Sequence, residues 1–258
     1  MRPLRSMIAR IGTDLASAAA LLRAGELVAI PTETVYGLAA NAFDPEAVLR
    51  IFTTKARPSF DPLIVHIGRM EQLGCVVREL PHGAGSLMKA FWPGPLTLVL
   101  PKRPEVPDIV TSGLDTVGVR MPTHPMTLEL LSKLDFPLAA PSANPFGYVS
   151  PTTAQHVADQ LGERIPFILD GGPCEVGVES TIIGWEAGQG SPEGAWYLYR
   201  PGGIAVEAIE EVIGTLGTKA PKLHPVAPGM LESHYAPRKP MYVGDINDLM
   251  RVHSGHRI

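Results

Sequence analysis

Apolar positions along this 258-residue chain recur with two periods. Spacings of three to four mark amphipathic helices, while alternate positions and short unbroken runs mark strands. Leu15, Ala18, Ala19 and Leu22 predict a helix over 13–23, with Thr13 or Asp14 as its cap and Gly25 closing it. Glu26–Ile30 reads as a strand. Asp44 followed by Pro45 predicts a second helix through about Phe52, with Ala47, Val48, Ile51 and Phe52 on its apolar face. Leu63–Ile67 and Leu96–Leu100 read as strands, with a short helix over 85–92 stopped by W-P-G-P at 92–95. Residues 113–122 give a turn and a strand of alternating valines, His124–Pro125 opens a helix to Leu134, and 137–144 is an apolar strand entering a loop. Ser150–Pro151 predicts another capped start, for a helix to Leu161. Strands at Ile165–Asp170, Gly177–Ile183 and Trp196–Tyr199 and a helix over 204–215 complete the pattern.

This order predicts a mixed α/β fold. Several strands follow one another with no helix between them, so the sheet is expected to be mixed rather than purely parallel. After about Gly217 the pattern stops. The prolines at 221, 225, 228, 237 and 240 exclude a helix or a central strand, so 217–240 reads as an extended linker. Residues 241–258 carry one strand, Met241–Val243, and a short helix, too little to fold alone.

Polar residues collect where the apolar runs end. The stretch P-T-E-T-V-Y-G-L-A-A-N at 31–41 follows a strand and packs two threonine hydroxyls, a carboxylate, a phenol and a glycine into Thr32–Gly37. Such a density is costly to bury unless a ligand or the backbone satisfies it. It reads either as a binding mouth at a strand end or as a tight turn around Gly37. Lys55 and Arg57 stand two apart before Pro58, near the next strand, where a solvated surface pair is the plain alternative to a site. His66 interrupts the run L-I-V-H-I, a setting in which a lone histidine is ordinarily a satisfied core residue. Arg120 lies in an apolar strand and needs an anionic partner, either a ligand carboxylate or phosphate or an internal salt bridge.

Composition narrows the classes. The net charge of −4 provides no global field for nucleic acid or anionic lipid, so any polyanion must be held by local cations. Two cysteines far apart, Cys75 and Cys174, exclude a disulfide framework and a thiolate zinc site. The eight histidines show no ligand spacing, and neither a Walker A sequence nor G-x-G-x-x-G is present. No apolar run approaches the ~20 residues of a membrane helix, and the N-terminus lacks a signal-peptide core, so a cytoplasmic protein with no membrane partner is expected. Lys55, Arg57, Arg120 and Arg200 with the hydroxyls of Thr34, Thr116, Ser142, Ser150 and Ser180 suggest a cavity for a polyanion such as a nucleoside triphosphate.

The sequence closely resembles the threonylcarbamoyl-AMP synthases, the YrdC-like family. The resemblance rests on P-T-E-T-V-Y-G-L (31–38), K-A-R-P (55–58), P-L-I-V-H-I (62–67), W-P-G-P-L-T (92–97), G-L-D-T-V-G-V-R-M-P (113–122), A-P-S-A-N (140–144), G-V-E-S-T-I (177–182) and R-P-G (200–202). It implies a twisted mixed sheet flanked by helices around a deep positively charged cavity. It also implies a reaction of L-threonine, bicarbonate and ATP, with magnesium, giving threonylcarbamoyl-AMP and pyrophosphate. A downstream complex would then transfer the threonylcarbamoyl group to tRNA. By the same resemblance Lys55, Arg57, Ser142 and Asn144 are catalytic, as the K-x-R and S-x-N pairs. Thr34, His66, Arg120, Ala140, Pro141, Ser142 and Ser180 would hold threonine, and Arg57, Asp61, Thr116, Ser142, Ser150, Arg200 and Tyr235 would contact ATP. Lys55 and Arg57 are expected on ligand-facing loops, so that removing either would spare the fold. Asp61 stands where relatives commonly carry asparagine, and beside phosphates it would need magnesium or an arginine as partner. The stretch A-P-G-M-L-E-S-H-Y-A-P (227–237) resembles the linker of the two-domain form. This implies a catalytic domain over 1–216, a lid over 217–240 and, at 241–258, a remnant of a C-terminal α/β domain that is largely missing. Two other readings stay open: a carbamoyl-adenylate or carbamoyl-transfer relative with another acceptor, and a non-enzymatic RNA-binding module. Retention of Thr34, K-x-R and S-x-N disfavours the first. Net acidity without interleaved basic and aromatic residues disfavours the second, leaving room only for weak RNA binding.

Overall fold

Branched and aliphatic residues at alternate positions build one sheet of eleven strands in the computed structural model, which describes residues 9–187, 194–218, 227–228 and 244–252. The strands are β1 (Arg10–Gly12), β2 (Val28–Ile30), β3 (Gly37–Asn41), β4 (Ile64–His66), β5 (Leu96–Pro101), β6 (Thr116–Arg120), β7 (Leu138–Ala139), β8 (Phe167–Leu169), β9 (Thr181–Glu186), β10 (Ala195–Arg200) and β11 (Gly217–Thr218). Their spatial order is β1-β8-β2-β3-β7-β4-β6-β5-β9-β10-β11. Parallel pairs (β1–β8, β8–β2, β4–β6, β5–β9, β10–β11) intersperse with antiparallel ones, so the sheet is mixed.

The helices are α1 (Leu15–Arg23), α2 (Pro45–Lys55), α3 (Met70–Val76), α4 (Ala84–Phe91), α5 (Asp108–Thr111), α6 (Pro125–Ser132), α7 (Ala154–Leu161), α8 (Val206–Ile213) and α9 (Ile246–Val252). Asp44 caps α2 as its sequence predicts, its side chain accepting from the N–H of Glu46 at 3.0 Å and of Ala47 at 3.2 Å, with Pro45 in the first turn.

Alternation along the strands sorts their side chains onto two faces. Ala29, Leu38, Ala40, Val65, Leu98, Val119 and Ile183 form one apolar core with α2, α4 and α7. On the other face Val28, Ile30, Ala39, Leu138, Phe167 and Leu169 pack under α1 and α6 through Ala18, Leu22, Leu130 and Leu131. That second cover stops at the middle of the sheet. Over β4, β6, β5 and β9 the same face carries Ile64, Val99 and Ile182, against which, among the described residues, Ala227 packs. His66 of β4 and Arg120 of β6 lie on this face.

Several elements differ from the pattern-based expectation. β1, α3 and α5 have only 3, 7 and 4 residues, too few for a period to show. Gly37–Asn41 continues the polar stretch as β3, an antiparallel partner of β2, because its small residues fit between β2 and β7. The start of α7 is capped by Thr153, whose hydroxyl accepts from the His156 N–H at 3.2 Å, and not by Ser150. α9 falls in the expected C-terminal helix, whereas Met241–Val243, Tyr235 and most of 217–240 lie outside the described residues.

Close backbone packing ties the chain after β10 to the approach to β9. A Cβ on Gly202 would meet the Glu179 carbonyl oxygen at 2.3 Å, the Ser180 carbonyl carbon at 2.4 Å and the Thr181 nitrogen at 2.5 Å. Backbone cannot yield as a side-chain tip can, so Gly202→Ala is expected to cost about 1–3 kcal/mol, read as a lowered midpoint of thermal or urea unfolding.

Candidate active site

The stretch after β2 forms one wall. The Thr32 hydroxyl donates to the Val35 carbonyl at 2.7 Å and accepts from the N–H groups of Thr34 at 3.2 Å and Val35 at 3.3 Å. The Thr34 hydroxyl lies 2.9 Å from that of Thr32 and accepts from Arg120 Nη1 at 2.9 Å. Tyr36, fully buried, fixes the wall from behind by donating to the Gly172 carbonyl at 2.8 Å. Of the two partners left open for Arg120, the internal one is present: Nη2 pairs with Glu33 Oε1 at 2.6 Å, and Nε donates to the Gly94 carbonyl at 3.3 Å. The other Glu33 oxygen accepts from the Thr123 N–H at 3.2 Å.

Register places His66 beside Arg120 across the β4–β6 pair. Burial, helped by the Arg120 charge, pushes the His66 imidazole down to about 3, so it is neutral at physiological pH. Its Nδ1 lies 3.2 Å from the Ile64 carbonyl.

Arg57 follows the left-handed C-cap of α2, Ala56 (φ 51°, ψ 40°). Its Nε donates to the Asp61 carbonyl at 3.0 Å and its Nη2 to the Pro62 carbonyl at 2.9 Å, while Nη2 also pairs with Asp61 Oδ2 at 2.9 Å. Asp61 is completely buried, which raises its carboxyl pKa against the pull of Arg57. The unusual aspartate is thus the counter-charge of the cavity arginine. Arg200, at the end of β10, donates to the Ser180 carbonyl through Nε at 3.1 Å and Nη2 at 2.9 Å, to the Ser180 hydroxyl at 3.1 Å, and through Nη1 to the Pro228 carbonyl at 3.3 Å. The Ser180 hydroxyl also meets that of Thr97 at 2.8 Å.

One hollow, open to solvent at its mouth, gathers many of the sequence-predicted residues. Thr34, Arg57, His66, Arg120, Ser180 and Arg200 line it, as does the segment Ala140–Pro141–Ser142. Thr116 does not; it lines an adjoining smaller hollow with Thr97, Gly118 and Ile182, and Pro228 borders both. Ser150 and Asn144 also stand back from the wall. Ser150 donates to Glu179 Oε1 at 2.5 Å, and the Asn144 amide donates to the carbonyls of Pro145 at 2.9 Å and Tyr148 at 2.8 Å, shaping the loop behind Ser142.

Lys55 corrects the sequence expectation most clearly. It is the last residue of α2, 1% exposed, it does not line the hollow, and its ammonium donates to the carbonyls of Ser142 and Asn144. Arg57 is also buried, so neither cation sits on a free loop, and removing Arg57 would take the ion-pair partner from a fully buried Asp61. Sequence reasoning missed Glu179 and Pro228 on the wall and the partner role of Glu33. Each arginine here faces a carboxylate or carbonyls, so the site is less positive than its cation count suggests. The two glutamates were legible as the acids inside P-T-E-T and G-V-E-S-T, and Pro228 only as part of the stretch 227–237 read as a lid.

Known proteins resemble this chain over most of its length. A family model described as "Telomere recombination", covering Sua5, YciO and YrdC proteins, matches residues 20–202. A second, described as "Threonylcarbamoyl-AMP synthase, C-terminal domain", matches 204–254. The C-terminal domain held to be largely missing is therefore represented, from α8 through α9. The threonylcarbamoyl-AMP synthase of Pyrococcus abyssi is 50% identical over 230 residues, 85% of this chain and 64% of the relative. That of Bacillus subtilis is 49% identical over 235 residues, 89% of this chain and 66% of the relative. The chain spans just under two thirds of the length of these two relatives. The crystal structure of P. abyssi Sua5 complexed with L-threonine matches with a TM-score of 0.82 at 47% identity, covering 90% of this chain and 69% of that one.

The histidine supplies a pH test. The unfolded imidazole titrates near 6.5 and the folded one near 3, so between these values the unfolded chain binds more protons. Stability is expected to fall as pH drops through that window, by up to about 1.4 kcal/mol per pH unit from this group. Urea midpoints measured from pH 7 to pH 4 should lose that part of the slope in His66→Asn.

Proposed function

The chain belongs to the Sua5–YciO–YrdC family, and from that premise we propose that it is an L-threonylcarbamoyladenylate synthase. It joins L-threonine, bicarbonate and ATP into threonylcarbamoyl-AMP and pyrophosphate, for a downstream complex that modifies tRNA. The observation that carries this reading is the gathering of Thr34, Arg57, Arg120, Ser142, Ser180 and Arg200 around one hollow. Its support among relatives is the likeness to a Sua5 that was crystallised with L-threonine.

The chemistry suits these groups. Bicarbonate and the threonine amino group lose water to give an N-carboxylated threonine. A carbamate oxygen attacks the α-phosphorus of ATP, and the bond to the leaving pyrophosphate breaks. Nucleophile and ATP are both anionic, so the barrier is largely one of bringing like charges together in line. Arg57 and Arg200 would face the phosphates. Arg120 and Thr34 would hold the amino acid, and Ser142 and Ser180 would orient the carbamate with their hydroxyls. His66, being neutral, serves as a polar wall rather than as a cation.

Magnesium enters this proposal as the counter-ion of ATP. Among the described residues no group of three or more His, Cys, Asp or Glu side chains could hold a metal, so the phosphates would carry the ion and no step is assigned to it. The proline-rich stretch after β11 would act as the lid, as Pro228 on the wall and its contact with Arg200 suggest. No helix among the described residues is long and apolar enough to cross a membrane.

Two measurements test the reading. Incubation with ATP, bicarbonate and L-threonine should yield threonylcarbamoyl-AMP by mass spectrometry, and threonine-independent release of pyrophosphate would sink the assignment. Arg57→Lys keeps the charge opposite Asp61 but loses the planar fork, and kcat is expected to fall by at least about 10²-fold. Unchanged turnover in that variant would remove Arg57 from the site.

A further inference from the structure

We infer that Lys55 is a positioning residue that works from outside the hollow, locking the Ala140–Asn144 segment onto the wall formed by Thr32–Gly37. The inference rests on the proposed reaction taking place in that hollow. Lys55 and Arg57 look equivalent in sequence, yet the left-handed turn at Ala56 sends their side chains to different places. Arg57 reaches the hollow and Lys55 does not.

The ammonium of Lys55 donates to the Ser142 carbonyl at 2.5 Å and to the Asn144 carbonyl. The Lys55 carbonyl in turn accepts from the Phe146 N–H at 2.8 Å, so the loop is gripped from both ends of one residue. On its far side the same loop is stitched to the opposite wall. Ala143 donates to the Tyr36 carbonyl at 2.8 Å, Leu38 donates to the Pro141 carbonyl at 2.7 Å, and Gly37 and Ser142 form a single antiparallel bridge. Pro141 and Ser142, which line the hollow, are therefore clamped between a buried cation and the polar stretch after β2.

Carbonyl oxygens at 142 and 144 converge because the backbone turns there, and two converging dipoles repel unless a donor sits between them. Burying a cation for that purpose is costly, and the carbonyl bonds offset the cost only if the loop stays in this shape. Burial, with the nearby Arg57 charge, lowers the Lys55 pKa well below 10.5, and the two carbonyl oxygens act against that shift by accepting from the charged form. A lysine that stabilised negative charge on the reacting phosphate would need to face the hollow, and this one is turned from it.

The test compares the ligand-free protein with Lys55→Met, which keeps the length and removes the donors. Hydrogen–deuterium exchange at amides 140–146 is expected to speed up by at least about tenfold, with amides in β5 and β6 unchanged. In the product-forming assay KM for L-threonine should rise by a similar factor and kcat fall by less. Unchanged exchange at 140–146, or a collapse of kcat at constant KM, would overturn the inference. If Lys55→Met does not fold, Lys55→Gln, with a shorter donor, should move both readouts the same way by a smaller amount, and no movement there overturns it equally. Should the wild-type chain make no adenylate, the proposed function fails, while the exchange measurement still decides what Lys55 does.

Discussion

Every side chain on β4, β6, β5 and β9 must point either into the helix-covered core or to the opposite face, and among the described residues no helix covers the opposite face over these strands. Val65, Leu98, Val119 and Ile183 take the first option and make an ordinary apolar layer. Their neighbours Ile64, His66, Thr97, Val99, Arg120 and Ile182 take the second, and polar groups among them are tolerable because a hollow lies there. Alternation thus does two jobs with the same strands. Shifting any of them by one residue would exchange core and site, so stability and function share one register.

In and behind that hollow, charge is managed by close compensation. Arg57 is answered by Asp61, Arg120 by Glu33, and Lys55 by two carbonyls, each inside the protein rather than in solvent. Such pairs contribute little net stability, since desolvation takes back most of the attraction, but breaking one is expensive. Their value is orientation: the guanidinium planes are fixed before any anion arrives. Asp61 illustrates the point, because an isolated carboxylate near phosphates would repel them, whereas one that holds Arg57 in place would, in the proposed reaction, aid their binding.

The sequence made the mixed α/β class legible because long apolar runs, capped helices and adjacent strands each leave a local mark. Asp44–Pro45 is one such mark, and α2 begins there. Ser150–Pro151 misled because Thr153 lies three residues on with an equally good capping oxygen, and only the tertiary contact of Ser150 with Glu179 decides between them. The site was legible as a set of residues through their shared family pattern. It was not legible as a geometry, for Lys55 and Arg57 differ in direction only because Ala56 adopts a left-handed turn that alanine does not advertise. The partner of Arg120 stayed open for the same reason, since Glu33 lies 87 positions earlier in the chain.

The position of β8 between β1 and β2 has a consequence for how the molecule is made. A chain emerging from the ribosome delivers β1 and β2 first, yet these two never touch; Arg10 and Val28 both pair with Phe167. The first strand can therefore take its place only after Leu169 has been synthesised, and until then its edge and that of β2 stand open. Closing so long a loop is slow, and an exposed edge invites pairing with another chain. The vulnerable interval is synthesis, when seven of the eleven strands exist in sequence but the seam beside the edge strand is still waiting for β8.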